Sequence, residues 1–341
     1  MGSNLGPLLQ PKTIKIDDLK GSTIAIDAFN ILYQFITTIR GPDGSYLSDS
    51  KGQITSHLTG LFSRTINLLQ KGIKPIYVYD GEPPALKRKE RERRRELKEE
   101  AQVKYESAKD KEDVAEMKKF AGRTARLTGD MIEESKLLLA RLGVPTVQAP
   151  SEGEAQVARI VRNGHAMYGI SQDYDSLLHG NPRIVRNLSS AGRRKRGPGF
   201  VTVTPELIEL PEVLNSLGID HNQLIALATL IGTDYNIGGV RGIGPKKALT
   251  MVKKHGVDYE SLFLEAGWTD DMPPWKEIID VIKDMPVTDD YQLEWTAPDK
   301  EAVVKLLVEK HDFSADRVEG SLSKLQDSAG ARAQKGLGEF F

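Results

Sequence analysis

Four short apolar runs punctuate the first half of the chain: TIAI at 23–26, PIYVY at 75–79, PTVQ at 145–148 and AMYGI at 166–170. Between them lie segments whose apolar positions recur every three or four residues, such as ITSHLTGLFSRTINLLQKG (54–72) and TGDMIEESKLLLARLG (128–143). Strand-length runs alternating with helical periods predict βαβ units, hence an α/β fold with a mainly parallel central sheet and helices on both faces. From about residue 203 the pattern becomes mostly helical: TPELIELPEVLNSLG, DHNQLIALATLIGTDYN, GGVRGIGPKKALTMVKKHG and later DKEAVVKLLVEKH (299–311). The closing DSAGARAQKGLGEFF is small and polar until its final apolar cluster, which predicts a flexible tail. The expected organisation is one domain over 1–325, with a helical insertion at about 81–127, a helical part at about 203–260 and a tail over 326–341.

Each predicted strand ends in acid. Asp27 follows the first, Asp80 the second, Glu152 and Glu154 come after the third, and Asp173 and Asp175 follow the fourth. In open α/β sheets the ligand site lies outside the carboxyl ends of the strands, so six carboxylates converge on one edge. Asp234, in GTDYN, supplies a seventh. Two carboxylates about 4 Å apart repel by about 4 kcal/mol at an effective dielectric near 20. Without histidine or cysteine in the set, the cation that offsets this repulsion is hard: magnesium, or manganese in its place. Two such ions ~4 Å apart suit phosphodiester hydrolysis. Single acids also have plainer readings. Asp27 can be a turn residue or helix cap, and Ser151-Glu152-Gly153-Glu154 matches a capping box for the helix that follows.

Composition narrows the chemistry. The 341 residues are 39% hydrophobic and 28% charged, enough for a sizeable core. There is no cysteine, which excludes disulfides, thiolate zinc sites and thiol nucleophiles. No apolar stretch approaches ~18 residues and no signal peptide or myristoylation pattern opens the chain, so a soluble intracellular protein is expected, away from membranes. The formal charge is only −1, yet KRKERERRRELKEE (87–100) carries eight basic and five acidic residues, and RRKR stands at 193–196. Distribution matters here more than net charge.

The run at 87–100 follows Pro83 and Pro84, is strongly helical in propensity and has little apolar stripe. It reads either as a solvated, ion-paired helix or as an electropositive gate that tracks a single strand, with Lys87 and Arg94 seven apart on one face steadying a phosphate. Its place directly after Asp80 favours the gate. Further on, Gly242-Ile243-Gly244-Pro245-Lys246-Lys247 suits a tight turn into a helix start, where free amides and the two lysines bind a duplex phosphate without reading sequence. The plainer reading is a helix-turn-helix packing turn. Six histidines are scattered without ligand spacing.

Together the stretches AIDAFNILYQF, YVYDGEPPALK, APSEGEAQ, SQDYDSLL, GTDYN and GVRGIGPKKA resemble the flap endonucleases of the structure-specific 5′-nuclease family over essentially the whole length, most closely the archaeal form. The resemblance implies a magnesium-dependent endonuclease that cuts 5′ flaps at single-strand/duplex junctions by a two-metal mechanism, with 5′–3′ exonuclease activity alongside, in Okazaki fragment maturation and repair. It places Asp27, Asp80, Glu152, Glu154, Asp173, Asp175 and Asp234 at the metals, and Lys87 and Arg94 of the helical arch at the scissile phosphate. It implies that Tyr33 stacks on a DNA base, that Gly2 lies near the active site, that 54–65 helps hold a one-nucleotide 3′ flap, and that 242–247 is a potassium-assisted helix-hairpin element. A monomer is expected, cytoplasmic if archaeal and otherwise nuclear. Gln334, Leu337, Phe340 and Phe341 fit Q-x-x-h-x-x-a-a, the peptide that docks on sliding clamps of the PCNA type. Alternatively, the same segment folds back on its own core. Two other functions fit parts of the pattern: a relative cutting bubbles or four-way junctions, and a non-catalytic DNA-binding clamp adaptor.

Overall fold

The computed structural model describes residues 3–338 apart from 42–43, 112, 114–115, 117–119, 121–123, 189–191 and 197–198. Seven strands form one sheet in the order β1-β9-β6-β5-β2-β3-β4. These are β1 (Lys12–Thr13), β2 (Thr23–Asp27), β3 (Lys74–Tyr79), β4 (Thr146–Gln148), β5 (Tyr168–Ile170), β6 (Arg183–Arg186) and β9 (Glu206–Glu209). Strands β2 to β6 run parallel, while β9 pairs antiparallel with both β6 and β1. β7 (Gly192–Arg196) and β8 (Gly199–Val203) make a separate antiparallel hairpin.

Alternation along the central strands assigns the two faces. Ile24, Ile26, Tyr77 and Tyr79 point into a core shared with helices α1 (Ala28–Thr38), α2 (Ser56–Gln70) and α4 (Gly129–Arg141). Ala25, Ile76 and Val78 point the other way, onto α5 (Gly153–Arg162) and a strap whose Trp295 donates its indole N–H to Pro75 O at 2.9 Å. The chain lays β3 and β4 to one side of β2, then returns to place β5 on the other. The order therefore reverses between β2 and β5, the switch point at which such sheets open a crevice.

Helix α3 (Arg88–Asp110) rises from the end of β3, after a single 3-10 turn at Ala85–Lys87. A short α6 (Asp175–Leu178) follows β5. The helical half holds α7 (Leu210–Leu217), α8 (His221–Ile231), α9 (Pro245–His255), α10 (Tyr259–Ala266) and α11 (Trp275–Lys283), around a core that includes Leu227, Val252 and Phe263. It begins seven residues later than the pattern suggested. Glu206–Glu209 is a strand, because it fills the sheet edge between β6 and β1, and the helix starts only at Leu210 with Pro211 in its first turn.

After α12 (Lys300–Val304), α13 runs from Ala315 to Gly338. Val318, Leu322 and Leu325 recur at helical spacing and join the core over α2. The segment 326–338, read from composition as a flexible tail, thus continues this helix. The helix extends from the turns anchored by Val318, Leu322 and Leu325, since once nucleated each added residue gains a backbone hydrogen bond. The side chains of Gln334 and Leu337, and the whole of Phe340, Phe341 and Gly2, lie outside the described residues.

Candidate active site

All seven acids singled out in the sequence line one cavity of about 890 Å³: Asp27, Asp80, Glu152, Glu154, Asp173, Asp175 and Asp234. Lys87, Arg94 and Tyr33 line it too. Local structure fixes each acid. Asp27 ends β2 and caps α1, accepting from Asn30 N–H at 3.0 Å, so the cap and the site are one residue. Asp80 accepts from Gly153 N–H at 2.5 Å. A Cβ on Gly153 would stand 2.6 Å from that carboxylate oxygen, so glycine there lets Asp80 and Glu152 sit side by side. Gly81 brings the two loops together in the same way, donating to Ser151 O at 2.6 Å. The capping box read at 151–154 does not form. Glu152 is the N-cap, Ser151 Oγ donates to Glu82 O, and Glu154 instead accepts from Ser171 Oγ at 2.6 Å.

Asp173 and Asp175 occupy the turn after β5. Ser171 Oγ accepts from Asp173 N–H at 3.1 Å, and Asn30 Nδ2 donates to Asp173 Oδ2 at 3.3 Å. Asp175 Oδ1 accepts from both Ser3 N–H (2.7 Å) and Ser3 Oγ (2.6 Å), which brings the N-terminus to the site. Tyr174 between them leaves the acids' company and lies under the Arg186 guanidinium, 4.1 Å from ring centre to Cζ.

The arch supplies the opposite charge. Lys87 Nζ donates to Glu152 Oε1 at 2.8 Å and stands 3.3 Å from Asp234 Oδ2. Arg94 Nη2 reaches both oxygens of Asp234 at 2.8 and 2.9 Å, and its Nε donates to the buried Glu90 at 2.5 Å. Further out, Lys98 lies 4.8 Å from the centre of the Tyr33 ring, whose hydroxyl donates to Ala125 O at 3.1 Å.

Of the basic side chains lining the cavity, Lys87 and Arg94 pair with Glu152 and Asp234, and the buried acids behind them keep their mutual repulsion. Burial, then the charge of Asp80, pushes Asp27 well above the usual carboxylate range. Burial and the charges of Asp173 and Asp175 do the same to Glu154. Asp80 is raised to about 6, by burial and then by Glu152 against the pull of the Gly153 N–H and Lys87. Burial raises Asp175 as well, against its bonds from Ser3. Lys87 shows the complement: burial opposes its charge, yet Glu152 and Asp234 hold its pKa above the ordinary lysine value. A concentration of acceptor-only oxygens with excess negative charge fits a hard divalent cation. As they stand, among the described residues, no three histidine, aspartate or glutamate side chains close to the spacing of a bound ion. Lys87 and Arg94 lie among them instead.

The second predicted element is also in place locally. Gly238, Gly239 and Gly242 have φ of 82°, 57° and 82°, the left-handed region that favours glycine. Gly244 caps α9, Pro245 opens it, and Lys246 and Lys247 are exposed in its first turn. Sequence reading missed Ser3, Asn30, Ser171, Gly153 and Tyr235. Only glycine after Glu152 carried a signal, as a residue that permits close approach.

The XPG N-terminal domain model matches residues 3–101, and the XPG I-region model matches 143–234. The first block holds Asp27, Asp80, Lys87 and Arg94, and the second the other five acids. Fold and site thus define the class, a nuclease core of the XPG type. Flap endonuclease 1 of Pyrococcus abyssi is 49% identical over 100% of this chain and 98% of its own length. That of Hyperthermus butylicus is 52% identical over 96% of this chain and 94% of its own. The solved flap endonuclease-1 from Methanococcus jannaschii superposes with a TM-score of 0.76 at 44% identity, covering 97% of this chain and 100% of that one. The chain belongs to the flap endonuclease 1 family.

Proposed function

We propose that this nuclease is a divalent-cation-dependent 5′-flap endonuclease, cutting the phosphodiester at a single-strand/duplex junction during replication and repair. The observation that carries the reading is one cavity in which seven carboxylates face the basic arch residues Lys87 and Arg94. Asp27, Asp80, Glu152, Glu154, Asp173, Asp175 and Asp234 would hold magnesium, or manganese in its place. When bound, two such ions supply an activated water and stabilise the leaving oxygen.

The chain's own residues do the rest. Lys87, a point charge on a long stem, and Arg94, a planar forked donor, would exchange carboxylate for phosphate and draw the scissile group onto the acids. Tyr33 offers a ring face beside the cavity for a base to stack on, once Lys98 moves aside. The turn at Gly242 and Gly244, with Lys246 and Lys247 exposed, suits a duplex phosphate held through backbone amides, with potassium as its companion ion. Gln334, Leu337, Phe340 and Phe341 would dock on a sliding clamp, with Gly2 near the active site, as in the sequence motif. The enzyme would act as a monomer in the cytoplasm of a cell like those of its archaeal relatives. No helix among the described residues is long and apolar enough to cross a membrane.

The test offers the protein, with Mg²⁺, a 5′-end-labelled double flap beside a four-way junction and a bubble. Release of a flap-length product from the double flap alone is expected. Preferential cutting of the junction or bubble would replace the substrate, and tight binding without cutting would mark an adaptor.

A further inference from the structure

Tyr235 follows Asp234 and separates the main cavity from a smaller one of about 210 Å³, bounded by Leu86, Glu90, Ile237 and Met272 among others. Its backbone is fixed: Tyr235 N–H donates to Thr233 Oγ1 at 3.1 Å, and Asn236 ties the turn to Thr229 O at 2.7 Å. The side chain is held with it, at 7% exposure. Yet no hydrogen bond of good geometry reaches its hydroxyl, although Glu152 lies beside it in the same cavity. The groups it faces are Glu152, Asp175 and Asp234. A buried hydroxyl left unsatisfied is a cost that phenylalanine at this position would avoid. The loss is recovered in any state that turns an acceptor toward it.

The structure identifies that acceptor. Glu152 is occupied here by Lys87, at 2.8 Å. The proposed chemistry needs Lys87 on a phosphate, and Glu152 then loses its donor. We propose that Tyr235 is a positioning residue that takes Glu152 over from Lys87, its phenol donating to that carboxylate when the arch engages DNA. The other six acids of the cavity, when ionised, only accept hydrogen bonds, so a neutral donor rooted in a rigid turn is what keeps Glu152 aimed at the cavity. This inference rests on the metal-site reading above.

The test is Y235F, which keeps the ring and removes the hydroxyl, followed by free-Mn²⁺ titration, flap-DNA binding without cation, melting, and single-turnover cleavage at saturating DNA. We expect unchanged or higher melting temperature and unchanged DNA affinity. The Mn²⁺ needed for half-saturation rises about threefold, and the cleavage rate falls about tenfold, the value of one charge-assisted hydrogen bond. If the wild type binds no Mn²⁺, the metal-site reading itself fails. If the wild type binds and Y235F matches it in Mn²⁺ affinity and rate, the proposal for Tyr235 is overturned. Lower melting temperature with weakened DNA binding makes Tyr235 a packing residue and overturns it too.

Discussion

Among the described residues, two groups of buried ionisable side chains are built in opposite ways. At the carboxyl edge of the sheet acids crowd together, Lys87 and Arg94 reach only Glu152 and Asp234 among them, and several carboxyl groups are pushed upward. Behind α2 and α4 the charges close on themselves. His311 Nδ1 stands 3.0 Å from Asp49 Oδ2 and its Nε2 3.0 Å from Glu134 Oε1, while Lys310 Nζ donates to Glu134 at 2.7 Å. Asp312 completes the grip, accepting from Ser50 N–H at 2.7 Å. Against burial, Lys310 and His311 hold Glu134 below the ordinary glutamate value. The second cluster ties the 49–53 loop to the 310–312 turn, whereas the first keeps buried acids close together at a cost in stability. The imbalance, more than the mere presence of charge, marks the site.

Removing a member of each cluster should separate them. Asp175→Ala is expected to lower single-turnover flap cleavage at least 10²-fold with Mg²⁺ while leaving DNA binding and the melting temperature intact. Undiminished cleavage would take Asp175 out of the site. His311→Ala should do the reverse: about 3 kcal/mol of stability lost on urea unfolding, because Asp49 and Glu134 both lose the imidazole buried between them, and little change in the cleavage rate of the folded fraction. An unfolding free energy equal to wild type would mean that the ion pairs contribute nothing net.

Acid sharpens the contrast. Asp80 has a folded pKa of about 6 against 3.8 unfolded, so its ionisation costs the fold stability above pH 6, and the cost disappears as pH falls to 3.8. Asp80→Asn in EDTA should therefore be more stable than wild type at pH 7.5, by on the order of 2 kcal/mol, with the gain fading in acid. His57 runs the other way. Burial lowers it to about 4 from 6.5, although Glu134 lies 3.5 Å from its Nε2. The unfolded chain takes that proton first, so stability is lost as pH falls from 6.5 towards 4. His57→Leu should flatten that part of the profile, and an unaltered slope would assign it elsewhere. The smallest effect on catalysis belongs to the C-terminus. Deleting 334–341 should weaken clamp binding in a pull-down titration and leave cleavage of short flaps nearly unchanged; a large loss of clamp-free activity would mean that the end of α13 supports the nuclease core.

The acid edge was legible because six of the seven acids follow within six residues of an apolar run, and strand order then does the gathering. Lys87 and Arg94 were legible for the same reason, close after Asp80. The histidine cluster was not, since residues 49, 57, 134 and 311 meet only through tertiary packing. Strand β9 was hidden because ELIELPEV has helical periodicity, and only the sheet edge it fills makes it extended. Two-residue β1 has no pattern to read. Ser3 and Tyr235 were missed because a serine near the start and a tyrosine in a turn look like any others until the fold sets them against Asp175 and Glu152.

On this reading the acid edge is a cation site. Its most direct test is equilibrium Mn²⁺ titration of the wild type and Asp175→Ala, with melting temperature followed in parallel. Saturable binding of about two ions that raises the wild-type melting temperature is expected, with binding lost or sharply weakened in the variant. Absence of saturable binding by the wild type, or equal binding by both proteins, would contradict it.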